Sequence, residues 1–131
     1  MKFRIYYEDT DAQGIVYHSN YIKFCERARS EALISAKLKL EESKYMVVSK
    51  LEAKFIRPAK YGDIIDITTQ VIAVKNATAT FLQKIYKIED INGEKYNELL
   101  FENTVTIAYL QNGKPIRFDS AVIEFFNKNL N

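Results

Sequence analysis

The spacing of apolar and polar positions changes along the chain and divides it into a few elements. Residues 2–7 open with an apolar, strand-like pattern. From Asn20 to about Leu38 the residues Tyr21, Phe24, Cys25, Ala28, Ala32 and Ala36 recur at intervals of three and four, opposite Lys23, Glu26, Arg27, Ser30 and Glu31. That spacing predicts an amphipathic helix. Three alanines on its inner stripe let a sheet come close, so the sheet is expected to wrap around the helix. Leu51 to Phe55 alternates with period two, as a half-buried strand does. Arg57 to Asp63 reads as a turn punctuated by proline and glycine. Ile64–Val74, Thr78–Glu89 and Leu99–Leu110 read as strands, with a turn at Lys75-Asn76. Asn92-Gly93 and Asn112-Gly113 are hairpin signals, because a type I′ turn needs positive φ at both central positions. Pro115–Phe118 follows, and a short helix from Ser120 to Lys128 ends the pattern. The order predicts an α+β domain: one long helix held by an antiparallel sheet of five or six strands. Such a sheet has a long unpaired edge, which favours a dimer.

Composition narrows the class. The chain has 131 residues, 47% hydrophobic, with 9 Tyr and 8 Phe, enough for a core in one domain over 1–131. Nineteen basic against 17 acidic residues leave a net charge of +2, too balanced for a nucleic-acid protein yet compatible with a small anionic ligand. One cysteine and one histidine make neither a disulfide nor a metal cluster. No apolar run approaches the ~18–20 residues of a membrane span, and the N-terminus lacks a signal-peptide core. A soluble cytoplasmic protein is the expectation.

The chemistry concentrates between Tyr7 and Tyr21. The only histidine, His18, lies close to Asp9 and Asp11 at the entry to the predicted helix, whose positive end stabilises an anion or a polarised carbonyl. Asp11 suits a general base or nucleophile, and equally an Asx-turn before Gly14. Asp9 reads as a turn or surface residue, since two nearby carboxylates repel. His18 offers a backbone donor for an oxyanion, an imidazole that orients water, or a structural cap. Tyr7 is either a positioning hydroxyl or one more core aromatic. Gly14 suits a positive φ or a close approach of backbone to ligand. Ser19 and Asn20 read as N-caps. Cys25 falls on the apolar stripe and reads as core, while Glu26 and Glu31 fall on the polar face with Arg27 and Arg29 nearby, solvated or salt-bridged. Arg57, Lys60 and Lys75 stand in or beside turns, where mobile cations meet phosphates.

The segment Tyr7-x-x-x-Asp11-x-x-Gly14-x-Val16-Tyr17-His18-x-x-Tyr21 resembles the signature of the hotdog-fold acyl-CoA thioesterases. The resemblance is to the 4-hydroxybenzoyl-CoA thioesterase type, in its bacterial YbgC-like branch associated with the Tol-Pal envelope system. The block Phe55-Ile56-Arg57-Pro58-Ala59-Lys60-Tyr61-Gly62-Asp63 is similar to a second recurring segment of that family. The resemblance implies a hotdog domain whose sheet continues across a dimer. It implies hydrolysis of an acyl-CoA to free acid and coenzyme A with Asp11 as base or nucleophile, the His18 amide at the oxyanion and Tyr7 orienting. Gly14, Val16, Tyr17 and Asn20 would then face the substrate, with Arg57 and Lys60 toward the coenzyme A phosphates. No cofactor is needed beyond the coenzyme A of the substrate, and no metal. Acyl carrier protein is a second carrier to consider, and the assembly is a homodimer or homotetramer. Two rivals remain: a hotdog dehydratase or hydratase, and a non-catalytic acyl-CoA-binding or envelope-complex partner.

Overall fold

The computed structural model describes residues 1–129. Its elements are β1 (Lys2–Arg4), a 3₁₀ turn (Tyr7–Asp9), α1 (His18–Ser35), β2 (Lys44–Phe55), β3 (Ile64–Val74), β4 (Thr78–Glu89), β5 (Lys95–Gln111), β6 (Lys114–Pro115) and α2 (Ser120–Asn129). The strands form one antiparallel sheet in the order β1-β3-β4-β5-β2, with β6 paired to β5. The sheet curls around α1, as the alanine stripe predicted.

Several boundaries differ from the sequence reading for local reasons. β1 stops at Arg4 because the Ile5 amide donates to the Asp63 carbonyl (2.8 Å) and the Gly62 amide donates back to the Ile5 carbonyl (2.9 Å). The chain then coils into the 3₁₀ turn. α1 starts two residues before Asn20, with Tyr17 as its N-cap and no side-chain cap. Ser19 and Asn20 therefore lie in the first turn and are not caps. The helix ends before Leu38 in a Schellman motif: the Leu38 amide donates to the Leu33 carbonyl and the Lys37 amide to that of Ile34. Lys37 takes the left-handed position (φ 56°) usually given to glycine. β2 begins at Lys44, well before Leu51, and a register shift between Val48 and Lys50 breaks its period-two pattern. Asn112 and Gly113 both have positive φ, as the type I′ turn requires. At Asn92-Gly93 only Gly93 does. There the Asp90 carboxylate accepts the Asn92 and Glu94 amides (2.9 and 3.0 Å) and shapes a wider turn. Pro115–Phe118 is strand only through Pro115.

The concave face carries two apolar clusters. One gathers Tyr21, Phe24, Ile65, Ile85 and Phe101. The other gathers Phe81, Val105, Tyr109, Phe118 and Phe126, and it is sealed by α2. Between them the register aligns Thr69, Gln83 and Asn103 in a polar row. Arg29, which the sequence placed beside the glutamates of the polar face, turns inward and donates to Gln83 Oε1 (2.7 Å). Gln83 Nε2 donates in turn to the Cys25 carbonyl (2.9 Å) and to Thr69 Oγ1 (3.1 Å). Cys25 is buried, in keeping with a core role. Glu26 and Glu31 are exposed.

Candidate active site

The loop between β1 and α1 is fastened by its own backbone. Asp9 Oδ2 accepts the Tyr6 amide (2.9 Å), which makes Asp9 the turn residue the sequence suggested. The Asp9 carbonyl accepts two donors, the Tyr17 amide (3.0 Å) and Asn20 Nδ2 (2.9 Å). Asn20 thus anchors the loop to the first turn of α1. Val16 is buried and its amide donates to the Ala59 carbonyl (3.0 Å), which ties the helix entry to the turn after β2.

Asp11 sits within this frame, half-buried. Its Oδ1 accepts the Gln13 amide (2.8 Å), and the Gly14 amide donates to its carbonyl (3.0 Å). Both the turn role and the chemical role remain open to it, because Oδ2 has no hydrogen bond among the described residues. Gly14 has a φ of 79° and a Cβ there would meet nothing within 4 Å, so backbone conformation and not space demands glycine.

His18 is the first helical residue. Its amide has no acceptor within the helix and lies at the positive end of the α1 dipole. The imidazole is exposed and packs against Tyr17 (4.5 Å between centroids) and Phe55 (6.2 Å). One turn on, the buried Tyr21 accepts the Ala59 amide on its hydroxyl (2.9 Å). Burial raises the Tyr21 pKa, the Ala59 amide opposes the rise, and the carboxylates of Asp63 and Asp11 add to it. Asp11 is therefore close enough to act electrostatically on the phenol.

These residues border a cleft of about 280 Å³ whose walls include Val16, His18, Tyr21, Phe55, Ile56 and Arg57. The walls are mainly apolar, with His18, Tyr21 and Arg57 as the residues that carry polar groups. Asp11 is not itself a wall of the cleft, but its charge acts on Tyr21, which is. Lys60 is exposed in the adjoining turn, which Asp63 holds by accepting the Lys60 amide (2.8 Å) and pairing with Lys87 (3.5 Å). Tyr7 is elsewhere: it is 82% exposed, stacks edge-on with Tyr61 (6.5 Å), and makes no hydrogen bond to Asp11. Lys75 lies just past the end of β3, a strand's length of about 35 Å from Ile64, and does not border the cleft.

Sequence reasoning placed Tyr21 and Phe55 in the core pattern and missed them as cleft walls. The signal was present for Tyr21, which closes the motif. For Phe55 it was absent, because its exposure depends on β2 lying at the sheet edge. Among the described residues no group of three His, Cys, Asp or Glu side chains is placed to hold a metal ion.

A model of the thioesterase superfamily matches residues 13–94. The chain belongs to this superfamily. The matched segment runs from just after Asp11 through β4. Acyl-CoA thioesterase YbgC of Haemophilus influenzae is 36% identical over 132 residues, covering 95% of this chain and 90% of its own. The protein of the same name from Helicobacter pylori is 40% identical over 95 residues, covering 72% and 71%. A solved structure of a probable thioesterase from Bartonella henselae is similar with a TM-score of 0.75 at 33% identity, covering 91% of this chain and 96% of that one. The curled sheet around α1 is the hotdog fold of these superfamily members.

Proposed function

We propose that this chain is an acyl-CoA thioesterase that hydrolyses its substrate to free acid and coenzyme A. The observation that carries the reading is His18, the first residue of α1, at the border of an apolar cleft: its amide has no partner within the helix, and the charge of Asp11 reaches Tyr21, another wall of that cleft. A thioester carbonyl seated on that amide gains negative charge at oxygen as its carbon is attacked, and losing one such donor typically costs about 10²–10³ in rate. Asp11 either takes a proton from the attacking water or attacks the carbon itself, giving an anhydride that water then opens. In both routes the C–S bond breaks and the thiolate leaves, taking up a proton from solvent. Tyr17, packed against His18, orients substrate from the rim, and Arg57 and Lys60 meet the coenzyme A phosphates. No further cofactor enters, and acyl carrier protein thioesters are a second substrate class. A reaction on coenzyme A esters fits the cytoplasm, and no described helix is long and apolar enough to cross a membrane.

A second copy belongs to this reading. The outer edge of β2, from Lys44 to Phe55, pairs with no other strand among the described residues and exposes Tyr45, Val47 and Val48. Pairing two such edges joins the sheets and brings each cleft against the other subunit. A pair of such dimers would give a tetramer.

Thiol release from acyl-CoAs of graded length tests the activity. Asp11→Asn is expected to lower turnover by at least ~10³ with fold and oligomeric state intact. Near-normal hydrolysis by that variant would remove Asp11 from the mechanism. A dehydratase needs a histidine base beside a carboxylate of the helix; Glu26 borders a separate cavity more than two turns beyond His18 and Glu31 is exposed, so neither makes that pair.

A further inference from the structure

Asp63 is the one acidic residue that is buried among the described residues, at 2% exposure. A carboxylate taken out of water needs hydrogen-bond donors and a counter-charge. The Lys60 amide gives Oδ2 its donor (2.8 Å) and closes the turn before β3. The counter-charge comes from another strand: Lys87 Nζ of β4 stands 3.5 Å from Oδ1. Both side chains are shielded from water, so this pair escapes the screening that weakens surface pairs. Arg4 also reaches the turn, but its guanidinium donates to the Gly62 carbonyl (2.8 Å) and forms no ion pair among the described residues.

Lys87 is itself held in place. Its ammonium stands 4.2 Å from the centre of the Tyr96 ring, across the hairpin on β5. The face of an aromatic ring attracts a cation. The Tyr96 hydroxyl donates in turn to Asp90 Oδ2 (3.2 Å). At the hairpin tip Ile91 lies so near Gly62 that a Cβ on the glycine would stand 2.6 Å from it. The β4–β5 hairpin therefore meets the turn at two points, one charged and one apolar.

The braced turn is a wall of the cleft. Ile56, Arg57 and Pro58 border the cleft, and Lys60 is bridged to Ile15 on its rim. Lys87 borders no part of it. We propose that Lys87 is a positioning residue for substrate binding: by neutralising Asp63 it holds the turn, and with it Arg57 and Lys60, where the coenzyme A phosphates dock. The proposal rests on the thioesterase reading above and adds a residue that acts on the substrate only through others.

The test compares kcat/KM for two esters of one acid. One is the acyl-CoA hydrolysed fastest in the graded series, and the other is its N-acetylcysteamine thioester, which has no phosphate. A charge-assisted contact is worth roughly tenfold or more in binding. Lys87→Met is expected to lower the ratio of the two kcat/KM values by about tenfold, chiefly through KM for the acyl-CoA. Lys87→Arg keeps the charge and is expected to hold the ratio within about threefold of the parent protein. Tyr96→Leu keeps both charges, removes the ring beneath the ammonium and is expected to lower the ratio by about threefold, so the test does not hang on one variant folding. A purely structural role would lower both esters alike. An unchanged ratio in Lys87→Met or Tyr96→Leu overturns the proposal, as does a tenfold drop in Lys87→Arg. Arg57→Ala separates the two readings. A ratio lowered by Arg57→Ala and not by Lys87→Met defeats this proposal alone. A ratio unmoved by Arg57→Ala removes the phosphates from this turn and the proposal with them. No thiol release from any acyl-CoA defeats the thioesterase reading itself.

Discussion

The hydroxyl of Tyr21 accepts a hydrogen bond from the amide of Ala59 at 2.9 Å. Both residues are buried, so this single bond ties the first turn of α1 to the turn after β2 inside the core. The cleft lies across that tie, with His18 on one side and Ile56 to Pro58 on the other.

Tyr21→Phe removes the acceptor and leaves the Ala59 amide buried and unpaired. An orphaned buried donor costs about 1–3 kcal/mol, so the melting temperature is expected to fall although the ring still stacks on Phe101. Turnover should fall more than KM rises, because the His18 amide loses its brace. Thermal unfolding and steady-state kinetics on one preparation check both.

The four glycines are not equivalent. Gly14→Ala meets open space and incurs only the backbone strain of a positive φ, about 1–2 kcal/mol. A Cβ on Gly62 would also stand 2.6 Å from Cβ and Cγ1 of Ile91, so Gly62→Ala adds overpacking of about 1–3 kcal/mol. The second variant is expected to be clearly less stable in urea unfolding. Ile91→Ala should recover part of the loss for Gly62→Ala and none for Gly14→Ala.

Asn103 is fully buried, and among the described residues neither its Nδ2 nor its Oδ1 meets a partner in hydrogen-bond geometry, although the amide is near enough to the Cys25 thiol to act on it. A buried amide without partners is unfavourable by about 1–3 kcal/mol. Asn103→Leu keeps a similar volume and is expected to raise the unfolding midpoint by that order. A drop in stability would mean that the amide has a partner, such as internal water, that the substitution takes away.

Burial pushes the Cys25 thiol up from 9.0 to about 12, with Arg29 and Asn103 pulling the other way. Two results should follow. At pH 8 the native protein is expected to leave the thiol unmodified by a disulfide reagent, while the denatured chain reacts at once. With a folded pKa above the unfolded one, the stabilisation is complete below about pH 9 and is lost as pH rises toward 12. The slope is at most about 1.4 kcal/mol per pH unit, since the unfolded chain gives up its proton first. Tyr109, also raised to about 12 by burial and by its bond to Asp119, adds a decline above pH 10. Cys25→Ala should flatten the pH 9–10 part of the stability curve and leave the Tyr109 part.

Much of this was legible in the residues. β3 and β4 were bounded at Ile64–Val74 and Thr78–Glu89 because the first is rich in β-branched residues and the turn at Lys75-Asn76 separates the two. The Tyr7–Tyr21 motif located the loop and the helix entry. The front half of β2 was not legible, since the register shift at Val48 destroys the alternation that marks a strand. Arg29 was misplaced because a long side chain can reach Gln83 across the helix flank, and a helical wheel ignores such reach.

The sequence by itself determined what depends on near neighbours: the amphipathic stripe of α1, the type I′ turn at Asn112-Gly113, the turn at Asp11 and the start of a helix beside the only histidine. The tertiary structure alone decided what depends on distant segments meeting. It placed Tyr21 on Ala59, Arg29 on Gln83, Phe55 in the wall of the cleft and Tyr7 outside it. The reason is physical. Local pattern sets which face of an element is apolar, but strand order sets which faces are covered, and β2 faces solvent because it is the last strand of its sheet.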